Sequence, residues 1–194
     1  MKKTIFALIA SVGVIGAASA QISGGTPYVG IGGVVSEHRY ELNNDSSGGD
    51  TNKHEYGGKV FAGYQITPMY GVEIGYTDFG KSSYAYNVNG AAGRAEADAK
   101  SYYLAAKAAY PIAEKTNLTG KLGVAHNKND VWATGLASNY NGDSSRNALY
   151  AAVGAEYAVN EKVSLSLEYE HYGKNDIDLG RSKGAVSLGA RYNF

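Results

Sequence analysis

Val186-Ser187-Leu188-Gly189-Ala190-Arg191-Tyr192-Asn193-Phe194 ends the chain, and how it alternates decides the fold. Val186, Leu188, Ala190, Tyr192 and Phe194 fall on one parity, while Ser187, Gly189, Arg191 and Asn193 fall on the other. Successive side chains of a strand point to opposite faces, so this segment is a strand with one apolar face and one small or polar face. Working back along the chain, Val163, Leu165, Leu167 and Tyr169 alternate in the same way with Ser164, Ser166 and Glu168. The period recurs in Val29, Ile31 and Val35; in Tyr56, Val60, Ala62, Tyr64 and Ile66; and in Val72, Ile74 and Tyr76. It recurs again in Tyr102, Leu104, Ala106, Ala108 and Tyr110; in Leu118, Leu122 and Val124; and in Leu149, Val153 and Tyr157. Together these sets predict eight strands and an all-β chain.

The connections between them alternate in length. Short ones are expected around Thr67 to Tyr70, Pro111 to Asn117 and Asn160 to Lys162, and long ones over Ser36 to Glu55, Phe79 to Ala99, Asn127 to Asn147 and Tyr172 to Ser182. Strict alternation is what an antiparallel up-and-down barrel needs if every short turn lies on the periplasmic side of a membrane and every long loop outside. The long segments are rich in Gly, Asn, Asp and Ser, as solvated loops are.

A soluble sandwich or ligand-binding barrel also shows period two, so the less apolar face decides between them. A soluble barrel would carry long charged side chains outside. Here that face is mostly Gly, Ala and Ser with isolated Lys or Glu, which suits a narrow lumen where side chains converge. The apolar face, with Tyr64, Tyr76, Tyr110, Tyr157, Tyr169 and Tyr192 near strand ends, suits lipid bounded by aromatic girdles. The expected architecture is an eight-stranded antiparallel transmembrane β-barrel over residues 21–194.

Residues 1–20 read as a secretory signal: Lys2 and Lys3, an apolar run from Ile5 to Ala17, then Ala18-Ser19-Ala20 before Gln21. The run is shorter than the roughly 20 residues a spanning helix requires, and no later segment is long enough either. A membrane-embedded mature chain must therefore cross as strands. The 18 basic and 18 acidic residues cancel, so no global field attracts nucleic acid. The absence of Cys removes disulfides, thiolate nucleophiles and thiolate metal ligands.

Strand parity directs Lys59, Glu73, Lys107, Lys121, Glu156, Glu168 and Arg191 into the lumen. Charges in so confined a space must be paired or hydrogen-bonded, with Lys107 or Lys121 as the expected partner of Glu156.

Several segments resemble the transmembrane-domain family of outer-membrane protein A. They are Gly63 to Tyr76, Ala106 to Ile112, Lys121-Leu122-Gly123, Gly154 to Ala158, Leu167-Glu168-Tyr169 and Ser187-Leu188-Gly189, in the family's order. The resemblance implies an integral protein of the bacterial outer membrane, in contact with its lipid and lipopolysaccharide. It also implies that Tyr192 and Phe194 form the signal by which the outer-membrane assembly machinery recognises a last strand. Larger members carry a peptidoglycan-binding domain after the barrel, and this sequence, ending at Phe194, is expected to lack one. Glu73, Lys107, Lys121, Glu156 and Glu168 match family lumen charges, which plug the barrel and exchange partners to open a narrow path. Gly32 and Ser166 stand where the family has basic residues, and Lys59 and Arg191 are additional, so a switch that depends on those positions does not carry over.

Other motifs are weak. Gly30-Ile31-Gly32-Gly33 lies within a strand and lacks the helix a dinucleotide loop requires. Asn117-Leu118-Thr119 is a glycosylation sequon in letters only. His38, His54, His126 and His171 show no metal-ligand spacing, and no cofactor is implied. Glu37, Glu41, Asp45, Asp50 and Glu55, set against Arg39 and Lys53, form an acidic loop able to hold a divalent cation but more economically read as solvated. Three functional classes follow. The first is a non-enzymatic envelope protein whose loops meet a host or other surface ligand. The second is a barrel enzyme: Leu167 to Asn175 faintly resembles the His-x-Ser-Asn region of lipid A deacylases, but Gly173 replaces the nucleophilic Ser, and a protease reading rests on His171, Asp176 and Asp178. The third is a small-solute pore, which a narrow lumen disfavours.

Overall fold

The computed structural model describes residues 25–39, 52–88, 91–134, 142–173 and 181–194. The expected export signal and most of the acidic loop lie outside the described residues. The eight strands are β1 (Thr26–Arg39), β2 (Asn52–Gln65), β3 (Tyr70–Val88), β4 (Ala91–Ala113), β5 (Thr116–Thr134), β6 (Gly142–Ala158), β7 (Val163–His171) and β8 (Arg181–Asn193). Each pairs antiparallel with the next, and β1 closes the barrel against β8. Closure leaves no unpaired edge, the condition for strands to sit in lipid.

The turns at one end are short and held by their own side chains. Ile66 and Thr67 donate their N–H groups to the Tyr70 carbonyl, and the Thr67 hydroxyl accepts from the Met69 and Tyr70 amides. At the β6–β7 turn the Asn160 side chain accepts from the amides of Lys162 and Val163. At the other end the strands run far past the lipid. β4 has 23 residues, about 75 Å at 3.3 Å each, whereas a transmembrane strand needs only about 9–11. The expected loops Phe79 to Ala99 and Asn127 to Asn147 are therefore largely strand: β3 pairs with β4 as far as Val88↔Ala91, and β5 with β6 as far as Val131↔Gly142. Composition misled here, because Gly, Asn, Asp and Ser fit an extended, solvated hairpin as well as a coil.

Facing is as parity requires. On β4 the outward row runs Tyr110, Ala108, Ala106, Leu104, Tyr102 and then Lys100, so two tyrosines eight positions apart bracket an uncharged band. Inside, large rings lie against glycines directly opposite them in register: Tyr28 against Gly63, Phe61 against Gly30 and Tyr103 against Gly75. A Cβ added at any of these glycines would come within 2.3 Å of the facing ring. Gly30 is thus a seat for Phe61 and has no bearing on nucleotide binding.

Candidate functional site: the occluded lumen

Four strands, β2, β3, β5 and β7, bring a central charged cluster together. Glu73 on β3 accepts from Lys121 Nζ at 2.6 Å, from the Tyr103 hydroxyl at 2.6 Å and from the Tyr28 hydroxyl at 2.9 Å. Lys121 on β5 also reaches Glu168 on β7 at 2.8 Å. Lys59 on β2 bridges Glu168 at 3.4 Å and Glu170 at 2.7 Å. Glu170 is wholly buried and accepts further hydrogen bonds from Tyr150, Tyr172 and Ser187. Sequence reasoning missed Glu170 and Tyr172, although both share the parity of Glu168. Their neighbours Tyr169 and His171 carry polar atoms too, so residue type blurred the alternation that numbering alone would have shown.

A second cluster lies toward the short turns. Glu156 on β6 accepts from Lys107 Nζ at 2.6 Å and, through both carboxylate oxygens, from the two terminal nitrogens of Arg191 at 3.1 Å. The paired contacts make a two-pronged guanidinium–carboxylate contact, the strong form of such a pair. Lys121, expected as an alternative partner of Glu156, instead belongs to the central cluster. The Tyr28 ring separates the two groups: the Arg191 guanidinium lies 4.4 Å and Lys107 Nζ 5.3 Å from its centroid, while its hydroxyl donates to Glu73 on the other side. With Glu170 included, the two clusters hold four cations and four carboxylates and together are neutral.

Beyond the central cluster, toward the long strand extensions, aromatic rings fill the bore. Tyr103 and Tyr150 stack at 4.3 Å, Tyr150 lies 5.1 Å from Tyr172, and Phe79 meets Tyr172 edge-on at 5.0 Å. Thr77 and Asn127 tie Tyr172 down through its hydroxyl and its carbonyl. These rings were not expected in a lumen inferred to hold mainly Gly, Ala and Ser. Gly75 and Gly123, opposite Tyr103 and Tyr150 in register, leave room for those two rings, and that pairing is the signal that would have revealed them.

The remaining chemistry-bearing residues do not converge. His126 bonds Asn147 through Nδ1, and His171 has the outward parity of Tyr169. Among the described residues no three His, Asp or Glu side chains are placed to hold a metal ion. Gly173 has φ of +83°, a conformation in which Ser would be strained, and Asp176 and Asp178 lie outside the described residues.

Residues 23–194 match the model of the OmpA-like transmembrane domain. The chain belongs to this family. It is 32% identical over 206 residues to outer membrane protein A of Salmonella typhi and 29% identical over 202 residues to that of Escherichia coli O157:H7, in each case over the whole of this chain. The OmpA-like chain spans 56% and 55% of the length of those two relatives. Among solved structures it resembles Ail, the attachment invasion locus protein of Yersinia pestis, with a TM-score of 0.56 and 22% identity over 88% of this chain and 99% of that one. It also resembles Neisserial surface protein A, with a TM-score of 0.52 and 19% identity over 89% and 100% of the respective chains. These likenesses show a shared barrel fold. The OmpA-like chain is an integral protein of the bacterial outer membrane.

Proposed function

We propose that this protein is a non-enzymatic outer-membrane barrel that contributes to envelope integrity and holds surface loops outside the cell for adhesion or other contacts. The observation that carries the reading is the joint occlusion and projection of the barrel. Paired charges and stacked rings fill the lumen, while β3 to β6 continue well past the lipid band as a hydrogen-bonded sheet. Such a body gives rigid display and little permeation. On this reading residues 1–20 are a signal removed during export, and Tyr192 and Phe194, whose rings meet edge-on at 5.4 Å on the last strand, are read by the assembly machinery.

The test pairs two measurements on one protein. In planar bilayers the unmodified barrel should show rare, small openings or none. Deleting residues 40–51 or 135–141 should abolish surface binding while leaving heat-modifiable gel mobility and the envelope's resistance to detergent intact. Large, steady currents would overturn the plugged reading, and unchanged binding after both deletions would overturn the display role.

A further inference from the structure

Tyr172 closes the outer end of the lumen from a position outside the sheet. The pairing of β7 ends at His171 on the β6 side and at Glu170 on the β8 side. Tyr172 follows them, beyond the ladder, yet its side chain is buried in the bore. Gly173, with φ of +83°, turns the chain against Ala148 immediately after it. The other two tyrosines of the stack are built differently. Tyr103 is paired with Gly75 and Ala125, and Tyr150 with Gly123, so neither leaves its place without breaking barrel hydrogen bonds.

Side chains alone latch it. The Tyr172 hydroxyl donates to Glu170, and its oxygen then accepts from the Thr77 hydroxyl on β3 at 2.9 Å. Asn127 on β5 donates through Nδ2 to the Tyr172 carbonyl at 2.7 Å. Phe79 from β3 and Tyr150 from β6 lie against the ring at 5.0 and 5.1 Å. Ser101 on β4 stands directly between Thr77 and Asn127 in register and is wholly buried. Every one of these contacts can break while all eight strands stay paired.

We infer that Tyr172 is a releasable outer lid on the lumen, latched by Thr77, Asn127 and Glu170 and distinct from the ion pairs below it. Its release is a local opening that costs the latch contacts and no strand pairing. It admits water and small solutes as far as the Tyr103–Tyr150 stack, while the charge clusters beyond stay closed. The lumen thus has two barriers in series, and the outer one faces the cell exterior.

The protein contains no cysteine, so an introduced thiol reports on a single position. Ser101→Cys, nearly isosteric, is the reporter at the lid, and Ala109→Cys, buried two positions nearer the short turns than Lys107, is the reference. Folded protein in detergent micelles, checked by heat-modifiable mobility, is labelled with a small charged methanethiosulfonate. Tyr172→Phe keeps the ring and removes the hydroxyl, so the rate at Ser101→Cys should rise about tenfold or more, the loss expected for a hydrogen bond to a charged group. Tyr172→Ala should label faster still, and the rate at Ala109→Cys should change in neither variant. Below the unfolding transition the rate at Ser101→Cys should depend little on urea, because releasing one side chain exposes little surface. A rate that climbs with urea as steeply as global unfolding, or equal acceleration at Ala109→Cys, would show loosening of the whole barrel and overturn the assignment. Labelling of folded Tyr172→Phe no faster than that of the unmodified barrel would overturn it as well.

Discussion

Removing Glu170 should cost more than removing any other charge of the two clusters, because no other carboxylate in them gathers so many donors while so fully buried. Glu170→Ala takes the 2.7 Å partner from Lys59 and leaves it only Glu168, at 3.4 Å and already committed to Lys121 at 2.8 Å. It also strips an acceptor from Tyr150, Tyr172 and Ser187. Breaking a buried ion pair from one side costs about 3–5 kcal/mol, whereas replacing both partners with apolar groups is often close to neutral. Glu170→Ala is therefore expected to lose about 3–5 kcal/mol, and Lys59→Met combined with Glu170→Leu less than that, its remaining loss coming from the three hydroxyls that still lack their acceptor. Equilibrium urea unfolding of the barrel in lipid vesicles, read by the gel mobility of the unheated protein, measures both. If Glu170→Ala unfolds within about 1 kcal/mol of the unmodified barrel, Glu168 alone satisfies Lys59 and the two-carboxylate clamp is not a structural unit.

Three further outcomes follow from the same geometry. Glu156→Ala leaves Lys107 and Arg191, both beside the Tyr28 ring, without their shared carboxylate, so it should lower stability and raise the frequency of brief openings in planar bilayers; a quiet, fully stable variant would contradict the pairing. Gly75→Val places a branched side chain where even a Cβ would come within 2.3 Å of the Tyr103 ring, and the yield of heat-modifiable barrel should fall well below that of Gly120→Val, where a Cβ meets nothing within 4 Å. Phe194→Ser should slow insertion of newly exported barrel, measured as the rate at which the folded gel band appears in cells, while leaving the equilibrium stability of the refolded protein nearly unchanged; equal insertion rates would remove the assembly role.

The period-two pattern was enough to assign all eight strands and the direction of seven lumen charges, because parity is a local property that each strand carries by itself. Which charge meets which is not local. Lys107 and Lys121 are directly opposite each other in register, yet Lys107 reaches Glu156 and Lys121 reaches Glu73 and Glu168. In register Glu156 faces only Asn117 and Ser166, and its cations come from across the bore. Such partners are set by the stagger that accumulates as strands tilt around a closed barrel, and no linear pattern encodes it. Lys59 and Arg191, additional to the family's lumen set, each supply a cation that binds a carboxylate, Glu170 and Glu156 respectively.

The division of the lumen follows from this arrangement. The cluster near the short turns holds Lys107, Arg191 and Glu156 and carries one excess positive charge. The central cluster holds Lys59, Lys121, Glu73, Glu168 and Glu170 and carries one excess negative charge. Neither is neutral alone, and between them stands one ring, with cations on its face and its hydroxyl on Glu73. Tyr28 thus couples two imbalances that cancel. Tyr28→Phe would keep the ring and its cation contacts while removing only the bond to Glu73, a loss of about 1.5–3 kcal/mol for a hydrogen bond to a charged group. Tyr28→Leu would also remove the cation contacts, about 0.5–2 kcal/mol more. Urea unfolding of both variants separates the two contributions. Equal stabilities of Tyr28→Phe and Tyr28→Leu would mean that the ring only fills space and that the clusters hold themselves together without it.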